Sequence, residues 1–202
     1  MAEVPQPTPT RARILEAALA CFIGRGVSGT TIAEIGARSQ ASVGSIYHHF
    51  TGGKEGIAAA VYTEALENYQ AGMVSALRGS PGASAGIGAL VRHHLGWVRE
   101  NADRARYLLA YRDPDVAHAA AQRVGELNQA AFAELGAWYR GHVAAGRLHE
   151  VPIDVFYAAV IGPAQEFSRL WLAGRTETSI AETQRILVGA AQRAVGSVDA
   201  PG

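Results

Sequence analysis

Residues 30–54 read TTIAEIGARSQASVGSIYHHFTGGK, and this stretch decides the fold. It divides into two short helices and a tight turn. Thr30 or Thr31 caps the first helix, and Glu34 stands three residues after Thr31, the spacing of a capping box. Ile32, Ile35 and Gly36 face inward, and Ser39-Gln40-Ala41 forms the turn. Ser42 caps the second helix, which runs to about Phe50. Ile46 and Phe50 lie four apart and form its core stripe. Val43, Ser45, Tyr47, His48 and His49 are left for other faces. This is the layout of a helix-turn-helix whose second helix docks in a DNA groove.

Outward from that stretch the chain reads as all α. Ala, Leu, Glu and Arg recur at helical spacing, and alternating Val, Ile and Thr runs are missing. Residues 1–9 form an arm with three prolines. A helix capped by Thr10 runs to about Arg25, with Ile14, Leu15, Ala18, Leu19 and Phe22 on its apolar face and Cys21 beside it. After the Thr51-Gly52-Gly53 break, a long helix spans Lys54 to about Arg78 on a stripe of Ile57, Val61, Ala65, Leu66, Tyr69 and Met73. Five more helices follow, over about 83–100, 102–112, 115–145, 153–174 and 178–196. The expected division is an arm at 1–9, a DNA-binding domain at 10–56 and a carboxy-terminal domain at 57–202.

Composition narrows the function. Apolar residues make up 49% of the 202, enough for a real core, and the net charge is zero. Zero net charge argues against a strongly basic nucleic-acid binder, but the charge is unevenly spread. Residues 1–54 carry a balance of +2 and the remainder −2. The single cysteine excludes an intramolecular disulfide and a cysteine-based zinc site. The start lacks the apolar core of a signal peptide, and no apolar run approaches the ~20 residues that span a bilayer. A cytoplasmic protein with no membrane partner is expected.

Residues 10–55 resemble the DNA-binding domain of the TetR family of transcriptional regulators. The matching residues are Ile14-Leu15-Glu16-Ala17-Ala18, Phe22 and Gly26, then Thr31-Ile32 and Glu34-Ile35. Ser42-Val43-Gly44-Ser45-Ile46-Tyr47-His48-His49-Phe50 and Gly53-Lys54-Glu55 complete the match. Departures are Gln40 where the family usually has Gly, Ala41 where it often has Val, Val43 where it often has Lys, and an extra residue before Lys54. Gln40 carries a steric cost if its φ is positive.

The resemblance implies a homodimeric repressor, released from a pseudo-palindromic site on double-stranded DNA by a small, largely apolar effector. Ser45, Tyr47 and His49 correspond to family positions that contact DNA, and Thr31 and Lys54 to positions on the backbone. The residues themselves agree. Ser42 and Ser45 are short donors and acceptors, Val43 suits a thymine methyl, and Tyr47, His48 and His49 reach phosphates or base edges. Thr31, at a helix N-terminus, offers an anion site, and Lys54 a point charge. In the family the middle helices surround an inducer cavity, for which His93, Trp97, Tyr107, Tyr111, Phe132 and Trp138 are candidates, with Arg106 and Arg112 as polar anchors. The last two helices form the family's dimer bundle, which points to Phe156, Tyr157, Val160, Ile161, Ile186, Leu187 and Ala190.

Rival motifs are weaker. Gly82-Ala83-Ser84-Ala85-Gly86 spells GxSxG, but a nucleophile elbow needs a strand before the serine, and a loop precedes it here. His93, His94, His118, His142 and His149 lack metal-ligand spacing. No catalytic residue, metal or cofactor is expected. An enzyme built on Ser84 or the histidines, and a DNA-binding architectural protein without a ligand, are the alternatives.

Overall fold

The structure, a computed structural model, describes residues 9–110 and 114–196. The arm before Pro9, Tyr111 and Arg112 lie outside the described residues. The described residues fold into helices α1 (Pro9–Arg25), α2 (Ile32–Ser39), α3 (Val43–His49), α4 (Gly53–Arg78) and α5 (Ala83–Glu100), followed by α6 (Ala102–Ala110), α7 (Pro114–Ala144), α8 (Ile153–Leu172) and α9 (Ile180–Val195). No strand occurs among them; one isolated bridge joins Leu148 to Gly196. No helix among the described residues is long and apolar enough to cross a membrane. Thr10 lies inside α1, which starts at Pro9, because proline's fixed φ suits a first helical turn.

The amino-terminal helices share one core. Ile14, Ala18 and Phe22 of α1 meet Ile35 of α2, Ile46 of α3 and the α3 cap Phe50. Ile14, Ile35 and Ile46 are fully buried, each worth about 1.5–3 kcal/mol relative to exposure. Gly36 lets α2 and α3 approach closely, since a β-carbon there would sit 3.0 Å from the Ala41 carbonyl oxygen. The same core takes in Ile57, Ala58 and Val61 of α4, Tyr107 of α6 and Val116 of α7. A second core joins the end of α4, at Met73 and Leu77, to α5, α7, α8 and α9. Between the two, Tyr69, Trp97, Val98 and Ala105 form a small cluster. Helix α4 therefore belongs to every core of the chain.

The loop before α8 is held from below. The buried Tyr139 hydroxyl accepts from the Val151 N–H at 2.7 Å and lies 2.9 Å from the His149 carbonyl oxygen. Pro163 sits within α8, where it removes one i→i−4 hydrogen bond.

Gln40 is the C-cap of α2 and has φ 56°, the one non-glycine residue with positive φ among those described. A left-handed L-residue costs about 1–2 kcal/mol, partly offset in a glycine by unfolded-state entropy. Its side chain is exposed, so little packing is lost on removing it. Gln40→Gly should therefore raise stability by about 0.5–1 kcal/mol and lift the melting temperature by ~1–4 °C. A calorimetric scan of the two proteins measures the difference.

Candidate DNA-reading surface and ligand cavity

Two caps set the helix-turn-helix. The Thr31 hydroxyl accepts from the Glu34 N–H at 3.2 Å, and Glu34 Oε2 accepts from the Thr31 N–H at 2.8 Å, completing the reciprocal box. Arg25 pairs with the same carboxylate. The Thr31 amide, then its hydroxyl, and to a smaller extent Arg25, hold the Glu34 carboxyl below its usual range. The amide and hydroxyl of Thr31 are thus both engaged by Glu34 in the free chain. Ser42 caps α3 by accepting from the Ser45 N–H at 3.1 Å.

With Ile46 and Phe50 turned into the core, α3 exposes its other faces. Val43 and Tyr47 are each 49% exposed. His48 is exposed, while Ser45 and His49 are half-buried. His48 and His49 meet edge to face at 5.4 Å between ring centroids, and His49 lies 6.4 Å from Phe50. Gly44 faces open space, so it fills no packing role in the free chain. Arg11 stacks 5.3 Å over Phe50 and pairs with Glu64 of α4, tying α1 to both neighbours. Gly53, first residue of α4, has φ 60°, a conformation its side-chain-free backbone adopts without strain. Lys54 follows, half-buried, with its Nζ 3.4 Å from the Ser28 carbonyl oxygen in the loop before α2. The result is a surface of hydroxyls, imidazoles and one ammonium carried on a rigid apolar support.

A second site lies some way along α4. A partly open cavity of about 160 Å³ lies between α4, α5, α6, α7 and α8. Tyr62, Leu66, Tyr69, Gln70 and Met73 form its α4 wall, and His94, Trp97 and Val98 its α5 wall. Phe132 and Tyr157 meet at a tilt, 5.4 Å between ring centroids, on the opposite side, and Gln165 and Asn128 add amides. Trp97 donates its indole N–H to Asn68 Oδ1 at 2.8 Å. Behind the wall runs a polar relay. His94 Nδ1 is 2.9 Å from the Tyr69 hydroxyl, His94 Nε2 is 3.2 Å from Ser168 Oγ, and Ser168 donates to the Ala164 carbonyl at 2.8 Å. Because the Ser168 proton goes to Ala164, His94 carries its own on Nε2 and accepts from Tyr69 at Nδ1. Burial, with a smaller push from His93, lowers the His94 imidazole from 6.5 to about 4, so it is neutral. Burial, and then the neighbouring Tyr157, hold the Tyr69 hydroxyl well above its usual range.

Of the pocket residues expected from the sequence, Trp97 and Phe132 line this cavity. Three others do not. His93 points away and binds the Tyr69 carbonyl oxygen at 2.8 Å, because adjacent helical residues diverge and His94 takes the inward position. Tyr107 is fully packed between the amino-terminal helices and α4. It stacks on Phe22 at 6.0 Å, donates to the Ala58 carbonyl at 3.2 Å, and lines a separate groove with Arg106. Trp138 packs at Gly86 of α5 and against His142 and Phe156. Sequence reading missed Gln70, whose spacing of four from Leu66 and three to Met73 places it on the buried stripe.

The dimer residues also need correction. Phe156, Val160 and Ile161 are 0–1% exposed within the single chain, covered by its own helices, and have no surface left for a partner. Tyr157 is turned to the cavity. Ile186 is 59% exposed, and Leu187 and Ala190 are half-buried. Ser84 lies exposed on the first turn of α5, after a loop and with no strand before it.

A larger open cleft of about 1030 Å³ runs between α1, the end of α2 and the α5–α6 junction. Its walls are charged surface side chains, two of which, Arg104 and Glu16, pair with each other. The smaller, less open cavity, lined without charged side chains, is the better ligand site for an apolar guest.

Residues 14–61 match the family model described as bacterial regulatory proteins, tetR family. The chain carries a TetR-family DNA-binding domain. The rest of it follows the same fold in solved structures. A tetR-family regulatory protein from Rhodococcus RHA1 superposes at TM-score 0.75 and 23% identity, covering 96% of this chain and 100% of that one. The transcriptional regulator FadR from Bacillus subtilis, solved in complex with stearoyl-CoA, gives TM-score 0.74 at 14% identity over 89% and 96%. The ketosteroid transcriptional regulator KstR2 of Mycobacterium tuberculosis gives 0.72 at 15% over 95% and 97%. No curated protein sequence matches the chain. The TetR-type domain is thus followed by a helical carboxy-terminal domain in an all-α chain.

His94 makes the cavity acid-sensitive. The folded protein binds this proton more weakly than the unfolded chain, so the contribution is complete above about 6.5 and is lost as pH falls toward about 4. Its full size is on the order of 3 kcal/mol. The groups facing it are Tyr69, His93, Ser168 and the Ala164 backbone. Urea unfolding midpoints of the wild type should fall between pH 7 and pH 5, and those of His94→Gln should fall less.

Proposed function

We propose that this protein is a homodimeric, ligand-responsive transcriptional repressor acting in the cytoplasm. Its DNA-binding domain spans residues 10–56, and residues 57–202 bind effector and partner. The observation that supports this most is the continuity of α4, which packs under the helix-turn-helix at one end and walls the cavity further along. The effector-free dimer reads a pseudo-palindromic operator. Ser45, Tyr47 and His49 meet base edges and phosphates, Val43 and His48 flank them, and Ser42 and Thr31 set the helix ends against the backbone. Lys54 leaves Ser28 for a phosphate. An effector in the cavity favours the state whose recognition helices no longer match the half-sites, which requires that it bind the two states with different affinity. Ile186, Leu187 and Ala190, with the 48% exposed Val155, are the apolar surface available for the partner. Stearoyl-CoA, the ligand in the FadR structure, is much larger and is charged; this cavity suits neither property.

A gel shift with genomic fragments tests the reading, and absence of any sequence-specific complex from the pure protein overturns it. On the operator so found, Tyr47→Ala should weaken binding about tenfold with little change in melting temperature, because the side chain is half exposed. Lys54→Gln should lower the slope of log affinity against log salt by about 0.9 per protomer at every sequence.

A further inference from the structure

One polar group in the cavity has no partner. Gln70 is 9% exposed and its Nε2 donates to Asn128 Oδ1 at 2.8 Å, but its Oε1 finds no hydrogen bond among the described residues. Buried amides are almost always satisfied, and the Gln70 side chain lines the cavity, so a turn of its amide presents the leftover acceptor to a guest's polar atom. The cavity lining holds no Asp, Glu, Lys or Arg, and its one imidazole has both nitrogens engaged, by Tyr69 and Ser168. A charged guest would be buried without a counter-charge, which is strongly unfavourable. The volume of about 160 Å³ is close to the ~150 Å³ of an apolar protein cavity that takes up benzene.

We infer that the cavity takes a neutral, single-ring-sized alcohol or phenol, with its hydroxyl on the Gln70 amide and its apolar body against Trp97, Phe132 and Tyr157. A hydroxyl both donates and accepts, so it satisfies the leftover group whichever way the Gln70 and Asn128 amides are turned. This rests on the reading of the cavity as the effector site, and it sets size, charge and polar group for that site.

The test is calorimetric titration of the full-length protein with phenol, benzene and benzoate, alongside operator release by gel shift. Phenol and benzene should bind, and benzoate should bind at least about a hundredfold more weakly than phenol. In Gln70→Leu the preference for phenol over benzene should fall about tenfold. If that variant does not fold, Gln70→Met serves the same comparison, and the benzoate result stands on the wild type alone. Benzoate binding as well as phenol, a phenol preference unchanged in the variant, or no binding of phenol, each overturns the inference. Phenol binding that leaves the operator complex intact supports the ligand class and counts against the regulatory reading. Operator release by an anionic compound with no phenol binding does the reverse.

Discussion

Burial of one face of α4 in two different cores is the constraint on which the rest of the structure depends. Ile57, Ala58 and Val61 cannot leave the amino-terminal core, nor Met73 and Leu77 the carboxy-terminal one, without exposing apolar surface. Between them Tyr69 is anchored by Trp97 and His94. The helix is therefore held at both ends and in the middle. Tyr107 reinforces the first junction, because its ring fills the space between α1 and α4 while its hydroxyl bonds the α4 backbone. The recognition surface is supported through α1: α3 rests on α1 and α2, and α1 rests on α4 and α6.

The same arrangement gives the cavity its character. Its α4 and α5 walls are stiffened by a chain of hydrogen bonds from Tyr69 through His94 and Ser168 to a backbone carbonyl. Charged side chains are kept to the surface, where Arg123 bridges Glu67 and Glu126 and Arg78 meets Glu134. What remains inside is aromatic and aliphatic surface with a few neutral amides.

The amino-terminal third was legible in the sequence because its signals are local. Thr31 with Glu34, and Ser42 ahead of Ile46 and Phe50, are patterns within one or two helical turns, and the backbone satisfies them as written. Gln40 was readable too, as the residue at a turn position that demands a left-handed backbone. The carboxy-terminal residues were harder. Helical spacing says that Tyr107, Trp138 and Phe156 are buried, but not which helix covers them, and that is decided by tertiary packing. His93 and His94 show the limit plainly, since the pair is one step apart in sequence and about 100° apart around the helix. Gln70 was hidden by its type: a glutamine on an apolar stripe reads as an interruption, and its meaning depends on Asn128, which lies on a different helix.

The span of α4 between Gln70 and Gly53 also has a mechanical consequence. At 1.5 Å per residue it amounts to a rigid arm of about 25 Å. A tilt of about 5° at the cavity end would carry the far end through about 2 Å, with no hinge and no unwinding. A base-edge hydrogen bond tolerates only a few tenths of an ångström before it weakens. A displacement too small to break either core would therefore be large enough to take the recognition helix out of register.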